Sequence, residues 1–255
     1  MALRIETIPC RSDNYAYLVH APGSERAVLV DAPEAAPIAR ALSAGGWRLE
    51  AIVLTHHHHD HVEGVEELRT AFGARVLGAA ADAHRLPPLD EALEDGQEIT
   101  ICGARGHVMD ASGHTIGHIA LHLPEAGAAF TGDSLMALGC GRLFEGTPEM
   151  MWQSLSRLAA LPGETLICSG HEYTLNNARF ALTVDPDNSA LISRKERIGA
   201  AREAGRATVP SVLSEELATN PFLRPGEPAI RARLGMTEAS DVAVFAEIRR
   251  RKDAF

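Results

Sequence analysis

Short apolar runs separated by turn-forming residues mark the first 170 positions, and that pattern predicts strands. Residues 3–8 alternate apolar and polar. Runs at 15–20 and 27–31 follow, joined by the turn Ala21-Pro22-Gly23-Ser24. A helix is predicted over 34–44, stopped by Gly45-Gly46. The apolar run 51–54 reads as a buried strand, 62–72 has helical spacing and ends at Gly73, and 75–78 reads as the next strand. Further strands are predicted over 98–102, 105–110, 118–123 and 128–131. A glycine-rich loop follows over 132–146, then a helix over 148–161 with Thr147 as N-cap and Pro148 at the first helical position. Residues 165–168 form the last predicted strand.

Past His171 the pattern changes. Residues 174–184, 188–205, 214–218 and 240–251 favour helix, and the strand pattern disappears. The expected organisation is an α/β domain over residues 1–170 and a smaller helical domain over 171–255. There is no internal repeat. The two halves of the strand region do not match well enough to reveal a pseudo-symmetry.

Composition narrows the function. The 255 residues carry 45% hydrophobic and 23% charged side chains, which suits an ordinary folded core. The formal net charge of -10 argues against a general nucleic-acid binder, because phosphate backbones need a basic face. No apolar stretch approaches the roughly 18 residues of a membrane span. Cys10, Cys102, Cys140 and Cys168 are far apart in sequence, a usage that fits reduced thiols. The N-terminal segment lacks the apolar core and cleavage site of a signal peptide. The expectation is a cytoplasmic monomer that acts on a small molecule, with no nucleic-acid or membrane partner.

The candidate chemistry starts at Thr55-His56-His57-His58-His59-Asp60-His61, directly after a predicted strand. In an extended turn His56 and His58 point the same way, with His57 and His59 facing elsewhere. Asp60 and His61 open the next helix. One loop can therefore offer two imidazoles to one ion and an Asp-His pair to a second. These ligand types suit zinc, iron or manganese, and spacing does not choose among them. One loop cannot complete two coordination spheres. His114 in SGHTIGH, Asp133 in FTGD and His171 in CSGH each follow an apolar strand and a glycine, which places them where loops gather at a sheet edge. His118 is a candidate for supporting a ligand. His20, His84, His107 and His122 read as structural or surface residues.

These residues resemble the metallo-β-lactamase superfamily, whose signature is an HxHxDH loop followed by a distant His, Asp and His. The blocks Gly139-Cys140-Gly141-Arg142, Phe144-Glu145-Gly146-Thr147, Gly170-His171-Glu172-Tyr173-Thr174-Leu175-Asn176-Asn177 and Thr219-Asn220-Pro221-Phe222-Leu223-Arg224 are similar to the glyoxalase II (hydroxyacylglutathione hydrolase) family. The similarity extends over nearly the whole chain. It implies an αββα sandwich followed by a helical substrate-binding domain. It also implies two divalent ions, with zinc expected and iron or manganese as alternatives. His56, His58 and His114 would hold the first ion, Asp60, His61 and His171 the second, and Asp133 would bridge them. Asp60 and Asp133 are the implied catalytic residues. Arg142, Phe144, Tyr173, Asn177, Arg249 and Lys252 would contact glutathione.

The implied reaction is hydrolysis of S-D-lactoylglutathione to D-lactate and glutathione, the second step of methylglyoxal detoxification. Two departures from the family pattern stand out: His59 where an aromatic residue is common, and Phe144 where a tyrosine is common. The rival expectations are a glutathione persulfide dioxygenase, another hydrolase of the same fold, an RNA-processing nuclease and a non-catalytic metal-binding scaffold.

Overall fold

Alternate residues of the strands feed two different cores, and this fixes the layering. In β2 (Asn14–His20), Tyr17 and Val19 enter one core while Ala16 and Leu18 enter another. In β4 (Arg48–Leu54), Ala51 and Val53 part from Ile52 and Leu54 in the same way. The side-chain period of a strand is two, so a strand buried on both faces reads as a continuous apolar run. The computed structural model describes residues 3–255. Met1 and Ala2, the start of the expected first domain, lie outside the described residues.

The first six-stranded sheet runs in chain order: β1 (Arg4–Cys10), β2, β3 (Arg26–Val30), β4, β5 (Arg75–Ala79) and β6 (Glu91–Leu93). The second comprises β7 (Glu98–Ile101), β8 (Ala104–Asp110), β9 (Ile119–Leu123), β10 (Ala128–Gly132), β13 (Leu166–Ser169) and β14 (Ser211–Val212). A small hairpin, β11 (Leu135–Met136) with β12 (Gly139–Cys140), stands apart. The inner faces meet in a core of Val19, Val53 and Leu77 from one sheet and Val108, Leu121 and Phe130 from the other. Phe130 is fully buried there, and truncation to Ala would cost about 3–5 kcal/mol. Helices α1 (Ala35–Gly45) and α3 (Val65–Phe72) cover the outer face of the first sheet through Ile38, Leu42 and Leu68. Helices α4 (Pro148–Ala159) and α9 (Asp241–Asp253) cover the second through Leu155, Leu158, Phe245 and Ile248. The result is the expected αββα sandwich with a helical C-terminal part.

Most predicted elements lie within a few residues of the observed ones. Thr147 caps α4 by accepting the Met150 N–H, and Pro148 opens it. The C-terminal helices are α5 (Thr174–Val184), α6 (Ser189–Glu203), α7 (Leu213–Thr219), α8 (Pro228–Leu234) and α9. Four differences have physical causes. The helix expected over 62–72 is two pieces, α2 (His59–Val62) and α3, parted at Gly64. There the backbone runs against the first sheet: the Gly64 N–H donates to the Ala32 carbonyl at 2.8 Å, and a Cβ would lie 2.8 Å from the Ala35 nitrogen. The expected loop 132–146 contains the β11–β12 hairpin. β6 and α8 carried no clear signal of their own. Strand pairing does not end at residue 170, because β14 returns from the helical part and pairs antiparallel with β13.

β3, β4 and β5 are parallel neighbours, as are β10 and β13. Residues that follow the C-terminal ends of β3, β4, β10 and β13 meet on one side of the sandwich. Among the described residues no helix is long and apolar enough to cross a membrane.

Candidate metal centre

Four of the parallel strands each deliver a polar residue to this edge. Asp31 follows β3, His56 follows β4, Asp133 follows β10 and His171 follows β13. His58 sits at the start of α2, Asp60 and His61 lie within it, and His114 comes from the β8–β9 connection. Three sets of side chains converge so that their ligand atoms lie within 4.8 Å of one another: His56, His58 and His114; Asp60, His61 and His171; and His56, His61 and Asp133. Asp133 therefore stands between the two other groups, with Oδ2 at 3.5 Å from His114 Nε2 and 3.3 Å from His171 Nε2. Gly170 permits the closure. A Cβ there would meet Asp133 Oδ1 at 2.4 Å.

The outward bonds of the rings set their tautomers. His61 Nδ1 donates to Asp31 Oδ2 at 2.8 Å, His114 Nδ1 to the Arg142 carbonyl at 2.7 Å, and His171 Nδ1 to Asp13 Oδ1 at 2.9 Å. Thr55 Oγ1 donates to Asp31 at 2.8 Å, so it accepts from His56 Nδ1 at 3.0 Å. In the neutral rings four Nε2 lone pairs are left to point inward. His56 Nε2 and Asp133 Oδ1 are buried with no hydrogen-bond partner among the described residues. His61 Nε2 and His171 Nε2 approach to 3.3 Å, and His114 Nε2 and His58 Nδ1 to 2.9 Å. Converging lone pairs and a buried carboxylate oxygen without a donor fit cations. Nitrogen and oxygen donors in this number fit a binuclear divalent site.

The ionisation pattern agrees. Burial, and then the neighbouring His61, push His56 well below the usual imidazole range. Burial opposes charge on His61 too, yet Asp133 and Asp31 hold it well above that range. Burial would raise Asp133, but His171 and His61 hold its carboxyl well below the usual carboxylate range. Burial opposes charge on His171 as well, yet Asp133 raises it above the usual imidazole range.

A cavity of about 740 Å³ opens from this cage. His58, Asp60, His114 and His171 of the cage line it, and so do Arg249 and Lys252. Arg142, Phe144, Tyr173 and Asn177 complete the wall, so the structure brings together all six residues read from the sequence as substrate contacts. Phe144, 61% exposed, sets its ring edge-on to His58 and His114. Tyr173 stacks on His171 with ring centroids 4.6 Å apart. Asn177 is buried and donates to the Ala137 carbonyl at 3.0 Å. Arg249 is also buried. It donates to the Cys140 carbonyl at 2.9 Å, pairs with Asp253 at 2.8 Å and lies over the Phe222 ring. Its guanidinium is thus largely engaged within the protein. Among the described residues Lys252 has no ion-pair partner. Burial, and then the neighbouring Arg249, lower its ammonium to about 8.

The description "Metallo-beta-lactamase superfamily" matches residues 11–171, and "Hydroxyacylglutathione hydrolase C-terminus" matches residues 172–255. A protein of Cereibacter sphaeroides named hydroxyacylglutathione hydrolase is 62% identical over 255 residues, covering 100% of both chains. The chain belongs to the hydroxyacylglutathione hydrolase family. That family's fold extends to distant solved structures. ETHE1 from Myxococcus xanthus superposes with a TM-score of 0.66 at 24% identity, covering 98% of this chain and 90% of that one. TTHA1623 in a di-iron-bound form superposes with a TM-score of 0.62 at 26% identity, covering 86% and 100%.

Several residues of this hydroxyacylglutathione hydrolase site escaped the sequence reading. Asp31 and Asp13 orient two of the rings. Asn14 is buried, and its Nδ2 donates to both the carbonyl and Oδ2 of Asp60, at 3.0 and 3.1 Å. Asp31 follows an apolar strand, the same cue that picked out Asp133 and His171. Asn14 carried no such cue, because it opens a strand instead of ending one. His118 accepts the Asp133 N–H at 3.2 Å and stacks on His56. His20 packs against Trp47 away from the site.

Proposed function

We propose that this chain hydrolyses S-D-lactoylglutathione and related 2-hydroxyacylglutathiones to the 2-hydroxy acid and glutathione, the second step of methylglyoxal detoxification. One observation carries the reading: a single cavity is lined both by residues of the His/Asp cage and by Lys252 with Arg249. A thioester carbonyl at the cage and a glutathione carboxylate at Lys252 would fill it. The 62% identity to a named hydroxyacylglutathione hydrolase supports the same reaction.

His56, His58 and His114 would hold one ion, Asp60, His61 and His171 the other, and Asp133 both. Zinc is the proposed metal, with iron or manganese as alternatives that the donor set also accepts. When bound, such ions polarise a carbonyl and lower the pKa of water toward 7. The protein's own contribution is positioning. Asn14 fixes Asp60 by two hydrogen bonds, and Asp60 orients the attacking water and accepts its proton. Water adds to the carbonyl carbon, the C–S bond breaks, and the acyl group leaves as a carboxylate. The departing thiolate, with a pKa of about 8.5, needs no strong general acid. Tyr173, Asn177, Arg142 and Phe144 line the path of the glutathione part. Residues 171–255 are read as the substrate-binding part and 1–170 as the catalytic part. A reducing, cytoplasmic setting suits four free cysteines, and a monomer is the proposed state.

The test is thiol release from S-D-lactoylglutathione by purified protein, with and without a chelator. Fast release that the chelator slows at least about a hundredfold is the expected result. A metal-loaded protein that releases no thiol, yet consumes oxygen with glutathione persulfide, would overturn the reading.

A further inference from the structure

His57 is the one histidine of the 56–61 tract that turns inward from solvent without joining the cage. Its Nδ1 lies 2.8 Å from Oδ2 of Asp82, which is fully buried, and its Nε2 faces Glu145 Oε1 at 3.5 Å. Asp82 ends the 3-10 turn Ala80–Asp82 that follows β5. Arg85 closes the group. It donates from Nε to Asp82 at 2.6 Å, from Nη1 to Glu145 at 2.6 Å and from Nη2 to the Ile116 carbonyl at 2.7 Å. Glu145 Oε2 in turn accepts the Ile116 N–H at 2.8 Å. Four side chains thus tie together three loops: the metal-binding loop after β4, the His114 loop, and the segment 142–146.

That segment is the lip of the cavity, because it carries Arg142 and Phe144. Its backbone runs alongside the His114 loop. His114 Nδ1 donates to the Arg142 carbonyl, the Phe144 N–H to the His114 carbonyl at 3.2 Å, and the Gly146 N–H to the Gly113 carbonyl at 3.2 Å. The two backbone bonds are at the long end of the normal range. Phe144 is more exposed than Phe255 or Tyr173, so its own packing does little to hold the lip. The charged bonds of Glu145 are the short ones, and charge-assisted bonds are about twice as strong as neutral ones.

We propose that Glu145, clamped by Arg85, is a positioning residue for substrate: it fixes the lip bearing Arg142 and Phe144 against the cage. The proposal rests on the glutathione thioesterase reading of the cavity. Glu145 and Arg85 touch none of the seven cage residues through a hydrogen bond, so their loss should loosen the lip and leave the cage loaded.

The experiment compares wild-type holoenzyme with E145A, E145Q, R85A and the E145A/R85A double variant. Four quantities are measured: metal content, kcat, KM for S-D-lactoylglutathione, and Kd for glutathione by titration calorimetry. E145A is expected to raise KM and Kd about tenfold, with kcat within about twofold and metal content unchanged. E145Q keeps an acceptor for the Ile116 N–H and should recover part of the loss. R85A should resemble E145A, and the double variant should add little, as expected for residues acting as one unit. Unchanged KM and Kd in E145A, whatever happens to its melting temperature, would overturn the proposal. So would a fall in kcat that tracks lost metal. A wild-type protein that binds glutathione but cleaves no thioester would sink the thioesterase reading alone, and the Kd comparison would still decide the role of Glu145.

Discussion

The cage and the cationic part of the cavity wall are built by opposite means. At the cage, four imidazoles have one nitrogen bonded outward and the other pointed inward, and the outward partners are themselves fixed, as Asp31 is by Thr55. At the cationic wall, Arg142 and Arg249 both reach the single carboxylate of Asp253, at 3.3 and 2.8 Å, while Lys252 pairs with no carboxylate among the described residues. Rigidity at the cage holds reacting groups in one geometry. Adjustable pairing at the cationic wall suits a flexible, charged tripeptide that exchanges bonds as it arrives.

The largest effect that would test this contrast is at the cage. Asp31→Ala removes the acceptor of His61 Nδ1 and frees the ring. Metal affinity should fall about 10- to 100-fold, on the scale seen for such supporting partners, as measured by competition with a chromogenic chelator. Unchanged affinity would mean that the cage does not depend on its outward bonds.

At the cationic wall, Lys252→Met should raise KM about tenfold, roughly 1.4 kcal/mol, with a smaller change in kcat. The pH profile sharpens the assignment. Lys252 is charged below about 8 and neutral above it, so kcat/KM should fall as pH rises through about 8. K252M should lack that limb. A limb that persists belongs to another group.

The smallest expected effect is Phe144→Tyr, which adds a hydroxyl at the lip. One neutral hydrogen bond is worth about 0.5–1.5 kcal/mol, and high exposure puts the gain near the low end, so KM should fall about threefold. No change would mean that the hydroxyl finds no partner on the substrate.

What was legible in the sequence follows the same division. The seven cage residues stood out because side chains of rare chemistry recur after apolar strands, and these are the side chains that converge. The sandwich could be named only through family resemblance, since sheet pairing is non-local. Nothing in 4–93 taken alone says that its six strands form one sheet and those of 98–212 another. Asp82 and Arg85 were passed over, because charged residues after a short turn look like surface. Only the fold shows that Asp82 is buried and that Arg85 spans two loops. The β11–β12 hairpin was read as loop because two-residue strands with a glycine carry no periodicity.

The split of the strands between two sheets has a consequence for how the chain matures. His56, His58, Asp60 and His61 follow strands of the first sheet, while His114, Asp133 and His171 follow strands of the second. A nascent chain that has emerged only as far as β6 holds four donors and no complete cage. Ion capture must wait until the second sheet has been synthesised and docked on the first. Any ion that favours the finished cage then strengthens that docking by mass action, so metal supply acts on the yield of folded protein as well as on its turnover.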